Sequence, residues 1–224
     1  MPKPMLLINA LTKYILGLVL LGAFLFLPAW SFCYPGAWLF LGVLFIPMLI
    51  MGAVLLLRSP DLLRRRLDGK EKEKAQKGVI ALSGLVFPIG FVLSALDFRF
   101  SWSSVPVWVT VLASVLFLLG YGAYFEVMRE NEYLSRTVKV EKGQQVISTG
   151  LYGIVRHPMY LATILMFIPI PLILQSFFGL IPFALYPIII VVRIINEEKL
   201  LSRELLGYSE YKKKVKYRLL PFIW

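Results

Sequence analysis

The stretch Leu161–Ile195, LATILMFIPIPLILQSFFGLIPFALYPIIIVVRII, decides the fold. A helix needs about 20 apolar residues to cross a hydrocarbon core of ~30 Å, so this run is too long for one straight span and too apolar for a solvated element. Pro169, Pro171, Gln175, Gly179 and Pro182 interrupt it. The reading is a helical hairpin that folds back at Gln175 to Gly179 and returns the chain to the face it left.

Working outward toward the N-terminus, the same apolar pattern recurs. Spans are expected at about Ala10–Leu27, from the end of the uncharged linker Pro28–Gly36 to about Leu57, at Val79–Leu96 and at Val105–Val127. Backbone groups in hydrocarbon must be satisfied within the segment, so the runs are read as helices, and the period-2 alternation of a membrane barrel is absent. Trp30, Tyr34 and Trp38 around the first linker read as an interfacial aromatic belt on the outer side, and Asp97, Arg99 and Trp102 as a short outer turn. The first run lacks a small-residue cleavage site and reads as a retained span.

The expected fold class is all-α: a polytopic integral membrane protein with five to six transmembrane helices, a C-terminal helical hairpin and a site on the cytoplasmic face. Six segments put both termini inside; counting the hairpin as one broken element gives five. Residues 1–127 are expected to form a membrane scaffold of four helices. Residues 128–224 form the working part, a loop, the hairpin and a tail, with no second soluble domain.

Composition agrees with that reading. The chain has 224 residues, 58% hydrophobic against 17% charged, and a mean hydropathy of +0.75. Its net charge of +11 is not spread over a surface: 20 of its 24 Lys and Arg fall in residues 58–78, 128–160 and 196–224. That is the positive-inside pattern, with bases placed to meet anionic head groups, and it removes the case for a nucleic-acid partner. One cysteine and one histidine exclude an internal disulfide and a Cys/His metal site.

The residues that could carry chemistry lie at the two ends of the hairpin. Arg156-His157-Pro158 stands where a polar segment, Met128 to Tyr160 with a turn at Glu141-Lys142-Gly143, enters the membrane. Proline is tolerated in a first helical turn, so Pro158 marks a helix start and Arg156 is held at the polar boundary. Glu197-Glu198 follows the apolar helix at its other end. Carboxylates near a helix C-terminus oppose the macrodipole, which calls for a partner cation such as Arg156, Arg193 or a ligand. If the hairpin closes, the two clusters meet at one membrane face. Both also have plainer readings, as interface anchors and as a solvated helix with i,i+4 pairs. In the tail, bases alternate with aromatics that can lie on lipid or stack on a purine, and Arg218 can neutralise a carboxylate or phosphate.

The runs Gly150-Leu-Tyr152-Gly-Ile-Val-Arg156-His157-Pro158-Met-Tyr160, Asn196-Glu197-Glu198, Leu206-Gly-Tyr208-Ser-Glu-Tyr211 and Arg218-Leu-Leu-Pro221 together resemble the isoprenylcysteine carboxyl methyltransferase family. The resemblance covers about residues 126–224. It implies a membrane enzyme of the bacterial cytoplasmic membrane that binds S-adenosyl-L-methionine at the cytoplasmic face and methylates a carboxylate on a lipidated, prenylcysteine-like or other lipophilic acceptor. It further implies that Arg156 and Glu198 act at the reacting end, Arg156 orienting the acceptor. His157, Pro158, Tyr160, Tyr152, Glu197, Glu198, Tyr211 and Arg218 would bind the cofactor. Family members commonly continue Tyr-x-Gly where this chain has Tyr160-Leu161-Ala162, and carry His where Gln144 stands. Three alternatives stay open: a thiol or amine (phospholipid) methyltransferase, for which His157 is the candidate base; an NADPH-dependent sterol-type reductase, with Lys212–Lys214 meeting a 2′-phosphate; and an adaptor whose basic segment 58–78 contacts lipid or a partner.

Overall fold

The computed structural model describes residues 3–68, 74–135, 137, 138, 140 and 143–224. Part of the charged segment, residues 69–73, and the Glu141-Lys142 half of the expected turn lie outside them. Among the described residues there is no strand. The helices are α1 (Lys3–Ala29), α2 (Pro35–Arg58), α3 (Pro60–Leu67), α4 (Lys74–Phe100), α5 (Val107–Glu130), α6 (Pro158–Phe167), α7 (Ile170–Ile173), α8 (Leu180–Phe183), α9 (Tyr186–Glu204) and α10 (Tyr208–Lys214). Among the described residues five segments are long and apolar enough to cross a membrane: α1, α2, Gly78–Phe100, α5 and Leu180–Glu204. Their outer faces carry Val19, Leu119 and Ile188, each more than 60% exposed, a surface suited to lipid rather than water. The protein is a polytopic helical membrane protein, as its sequence predicts.

The hairpin forms where the prolines place it. Pro158–Ile173 is a shorter apolar segment, yet at 1.5 Å per residue it covers roughly 24 Å. It runs from the loop-bearing end of the bundle to the opposite end, where the Tyr34 hydroxyl donates to the Leu174 carbonyl at 2.5 Å. The chain then reverses through Gln175, whose φ is +59°. The reversal is pinned by Asp97: its carboxylate accepts from the Ser176 hydroxyl at 2.5 Å, the Ser103 hydroxyl at 2.6 Å and the Ser103 N–H at 2.7 Å. Ser176 Oγ in turn accepts from the Gly179 N–H at 2.9 Å.

Two expectations are corrected here. Trp30 and Trp38 are exposed as a belt requires, but Tyr34 is fully buried and stacked on Phe98 at 4.1 Å. Its ring is an anchor between α2, α4 and the hairpin, because an apolar ring with one hydroxyl can reach a carbonyl left open at a helix end. Asp97 and Arg99 belong to the last turn of α4, and Asp97 is completely buried rather than solvated. Three hydrogen bonds compensate for taking the carboxyl group out of solvent.

Close backbone approach sets the packing around the hairpin. A Cβ on Gly120 of α5 would sit 2.9 Å from the Met166 backbone N and 3.0 Å from the Ala162 carbonyl of α6; one on Gly36 of α2 would sit 2.8 Å from the Ile173 carbonyl. Hydrogen in place of a side chain lets these helices touch, a common device where no hydrophobic force distinguishes helix from lipid. Phe87 of α4 fills the remaining space with edge contacts to Phe167, Phe183 and Tyr186 at 5.0–5.5 Å. At the other end Leu6, Leu55, Leu62, Val127 and Tyr152 form a second cluster that gathers α1, α2, α3, α5 and the loop, and the site is built on it.

Candidate functional site

The site begins with Pro158. With no N–H to satisfy, it opens α6, and the residues before it are free to pair elsewhere. The Arg156 and His157 N–H groups donate to the carbonyls of Tyr217 and Arg218, both at 2.9 Å, which ties the tail to the hairpin entrance. Arg156 then turns its guanidinium inward. Its Nε donates to Glu198 Oε1 at 2.6 Å and its Nη1 to the carbonyls of Val215 and Lys216, both at 2.8 Å. His157 Nε2 lies 3.4 Å from the same Glu198 oxygen, and Arg218 Nε donates to Glu198 Oε2 at 3.0 Å. Arg156, His157 and Glu198 are all under 8% exposed, so Glu198 is a buried anion shared by three basic groups. A buried carboxylate is sustainable only with such partners.

Glu197 faces differently. Successive helix residues point about 100° apart, so while Glu198 turns toward Arg156, Glu197 turns toward α6, where it accepts a hydrogen bond from the Tyr160 hydroxyl. That hydroxyl also accepts from Arg193 Nε at 2.9 Å, and the Arg193 guanidinium lies 5.8 Å from the Tyr160 ring centre. Between this trio and the loop lies a cavity of about 820 Å³, counting its open mouth. Its far wall is residues 131, 133–135, 137, 138 and 144–147, and its base is Tyr152, Tyr208 and Tyr211. The base is rigid: Asn131 Nδ2 donates to the Tyr152 hydroxyl at 2.9 Å, and the Tyr211 hydroxyl donates to the Tyr152 carbonyl at 2.7 Å. Burial pushes the Tyr152, Tyr208 and Tyr211 phenols well above their ordinary range, so all three stay protonated and neutral. The Tyr208 hydroxyl is buried with no hydrogen-bond partner among the described residues, and its residue lines the cavity. An orphaned buried donor of this kind marks a place for a polar ligand atom.

The residues singled out from sequence therefore separate into two groups. Arg156, His157, Tyr160, Tyr152, Glu197 and Tyr211 line the cavity. Glu198, Arg218 and Pro158 do not; Glu198 and Arg218 stand behind Arg156, and Pro158 sits in the first turn of α6. Arg156 has two of its three guanidinium nitrogens committed to Glu198 and the tail. Sequence reasoning singled out Arg193 only as a partner for the glutamates, although a cation inside an otherwise apolar span is itself a pointer to function. It also passed over Tyr208 and Asn131, for which the only signal was that Tyr208 sits in a quoted motif.

Residues 108–206 match the family model described as phospholipid methyltransferase. The match runs from α5 through the loop and hairpin to the end of α9, and so contains most of the cavity, while α1 to α4 lie outside it. This part of the chain is thus similar to methyltransferases of the membrane. Comparison with curated proteins gave no match.

Proposed function

We propose that the protein is an S-adenosyl-L-methionine-dependent methyltransferase that modifies the polar end of a lipophilic acceptor, with the cavity facing the cytoplasm of a bacterial cell. The observation that carries this is the cavity itself, which presents buried phenols, the Glu197 carboxylate and the Arg156 and Arg193 cations at the end of a membrane hairpin inside a segment similar to membrane methyltransferases. The donor set fits the cofactor. Tyr152, Tyr208 and Tyr211 offer aromatic faces and hydroxyls to a nucleoside, and Glu197 offers a carboxylate to an ammonium group. When bound, the cofactor supplies an electrophilic methyl on a sulfonium. The chain's own task is to align and to exclude water: holding two reactants in line can supply about 7–11 kcal/mol of a barrier. Arg193, on the hydrocarbon side of Glu197, supplies the positive charge toward which an anionic acceptor head would turn, while Glu198 keeps Arg156 and His157 in place.

Two acceptor classes follow. With a carboxylate, as in the prenylcysteine type, no base is needed because the nucleophile is already anionic. The family match favours the second, a phospholipid amine, which must lose a proton. His157 lines the cavity and is the group available to take it. The test is to incubate the solubilised protein with methyl-labelled S-adenosylmethionine and a membrane lipid extract. Label in the lipid phase that mild alkali releases as methanol identifies an ester, alkali-stable label an amine; no label in the lipid phase contradicts the assignment.

A further inference from the structure

A second cavity lies between α2, α3 and α5, apart from the proposed cofactor site. It encloses about 1120 Å³, counting its open side. Its floor is apolar, made by Val54, Leu55, Leu62, Phe125 and Met128, and its rim carries charge. Floor and rim divide where the helices stop being compatible with hydrocarbon, since the α2 span ends at Arg58 and the α5 span at Glu130. The groove therefore straddles the boundary between acyl chains and head groups.

The rim charges are not equivalent. Asp61 is held by Arg64 at 2.6 Å and Arg129 by Glu126 at 2.5 Å. Arg65 donates to the Glu132 carbonyl and lies 6.0 Å from the Tyr133 ring centre. Arg58 is exposed and makes no side-chain hydrogen bond or ion pair among the described residues. Among the described residues Arg58 and Arg65, the latter with a carbonyl but no carboxylate partner, outnumber the one rim carboxylate outside an ion pair, Glu132, so the groove matches a molecule that is anionic at one end and hydrocarbon at the other. A free phosphate would leave the floor wet, and an uncharged lipid would leave Arg58 unpaired.

We infer that this groove is a binding site for a bilayer glycerophospholipid, its phosphate on Arg58 and an acyl chain on Val54, Leu55 and Phe125. The groove shares its wall with the cofactor cavity: Met128 and Glu132 line the groove, and Asn131, Tyr133 and Leu134 line the cavity. α3 is fastened to that wall through Arg66, which donates to the Ser135 carbonyl at 3.0 Å. The lipid thus sits against the back of the site without entering it, and its binding does not depend on which reaction the site performs.

Delipidated protein in detergent, titrated with phosphatidylglycerol and read by native mass spectrometry, tests this. The wild type is expected to retain one phosphatidylglycerol, with Arg58→Gln weakening it about tenfold or more, as loss of a charged hydrogen-bond donor does. Val54→Trp, which fills the floor and leaves the charge, is expected to lose it as well, with thermal melting of the lipid-free variants unchanged. Equal retention by wild type and Arg58→Gln, equal retention of diacylglycerol, or displacement by millimolar inorganic phosphate overturns the inference.

Discussion

Glu198→Ala is the substitution whose consequences the geometry defines most closely. The carboxylate is 4% exposed and takes hydrogen bonds from Arg156 at 2.6 Å and Arg218 at 3.0 Å, with His157 at 3.4 Å. Removing it leaves the Arg156 guanidinium buried with only the Val215 and Lys216 carbonyls, and breaking a buried pair by deleting one partner costs about 3–5 kcal/mol. Arg218, with its side chain 35% exposed, is screened by solvent, so Arg218→Gln should cost under about 1 kcal/mol. Glu198→Gln should fall between, at about 1.5–3 kcal/mol, because the amide oxygen still accepts one bond. Replacing the pair together, as Arg156→Met with Glu198→Leu, should recover part of the loss but not all, since two tail carbonyls lose their donor. Reversible unfolding of the protein in mixed micelles, followed by circular dichroism against denaturing detergent, measures all four. A cost below about 1 kcal/mol for Glu198→Ala, or equal costs for Glu198→Ala and Arg218→Gln, refutes the view of Glu198 as the buried hub.

Three further outcomes are expected. Tyr160→Phe removes the hydroxyl between Glu197 and Arg193 and should weaken S-adenosylhomocysteine about tenfold in calorimetry with little change in melting. Gly120→Val sets a side chain against the Met166 and Ala162 backbone; it should cost about 1–3 kcal/mol in the same unfolding assay and lower ligand affinity too, because α6 carries Tyr160. Asp97→Ala should cost about 3 kcal/mol by leaving the Ser103 and Ser176 donors unpaired, yet change S-adenosylhomocysteine affinity by less than about twofold, since the clasp is a hairpin's length from the cavity.

The hairpin was legible because its signals are local: prolines and glycine interrupt an apolar run too long for one span, and the chain reverses within Gln175–Gly179 as that pattern predicts. Tyr34 and Asp97 were not. Their sequence neighbours, Trp30 and Trp38 for one and Arg99 and Trp102 for the other, are of the kind that face a membrane boundary, and only the approach of Leu174 and Ser176 from more than 70 residues away draws both inward. The meeting of Arg156 with Glu198 followed from hairpin closure alone. Which glutamate faces the cavity did not, because it depends on the rotation of α9 about its axis, and the apolar residues of α9 nearly surround it. The same rotation carries Arg193 onto the cavity wall, a position that adjacency to Ile194 and Ile195 conceals.

The proposed activity rests on one cofactor in one cavity, and calorimetry of the detergent-solubilised protein with S-adenosylhomocysteine and with NADPH, on wild type and Tyr208→Phe, tests it most directly. S-adenosylhomocysteine should bind at one site, NADPH should give no heat beyond dilution, and Tyr208→Phe should weaken the former several-fold through loss of the orphaned hydroxyl. Binding of NADPH with none of S-adenosylhomocysteine contradicts the account.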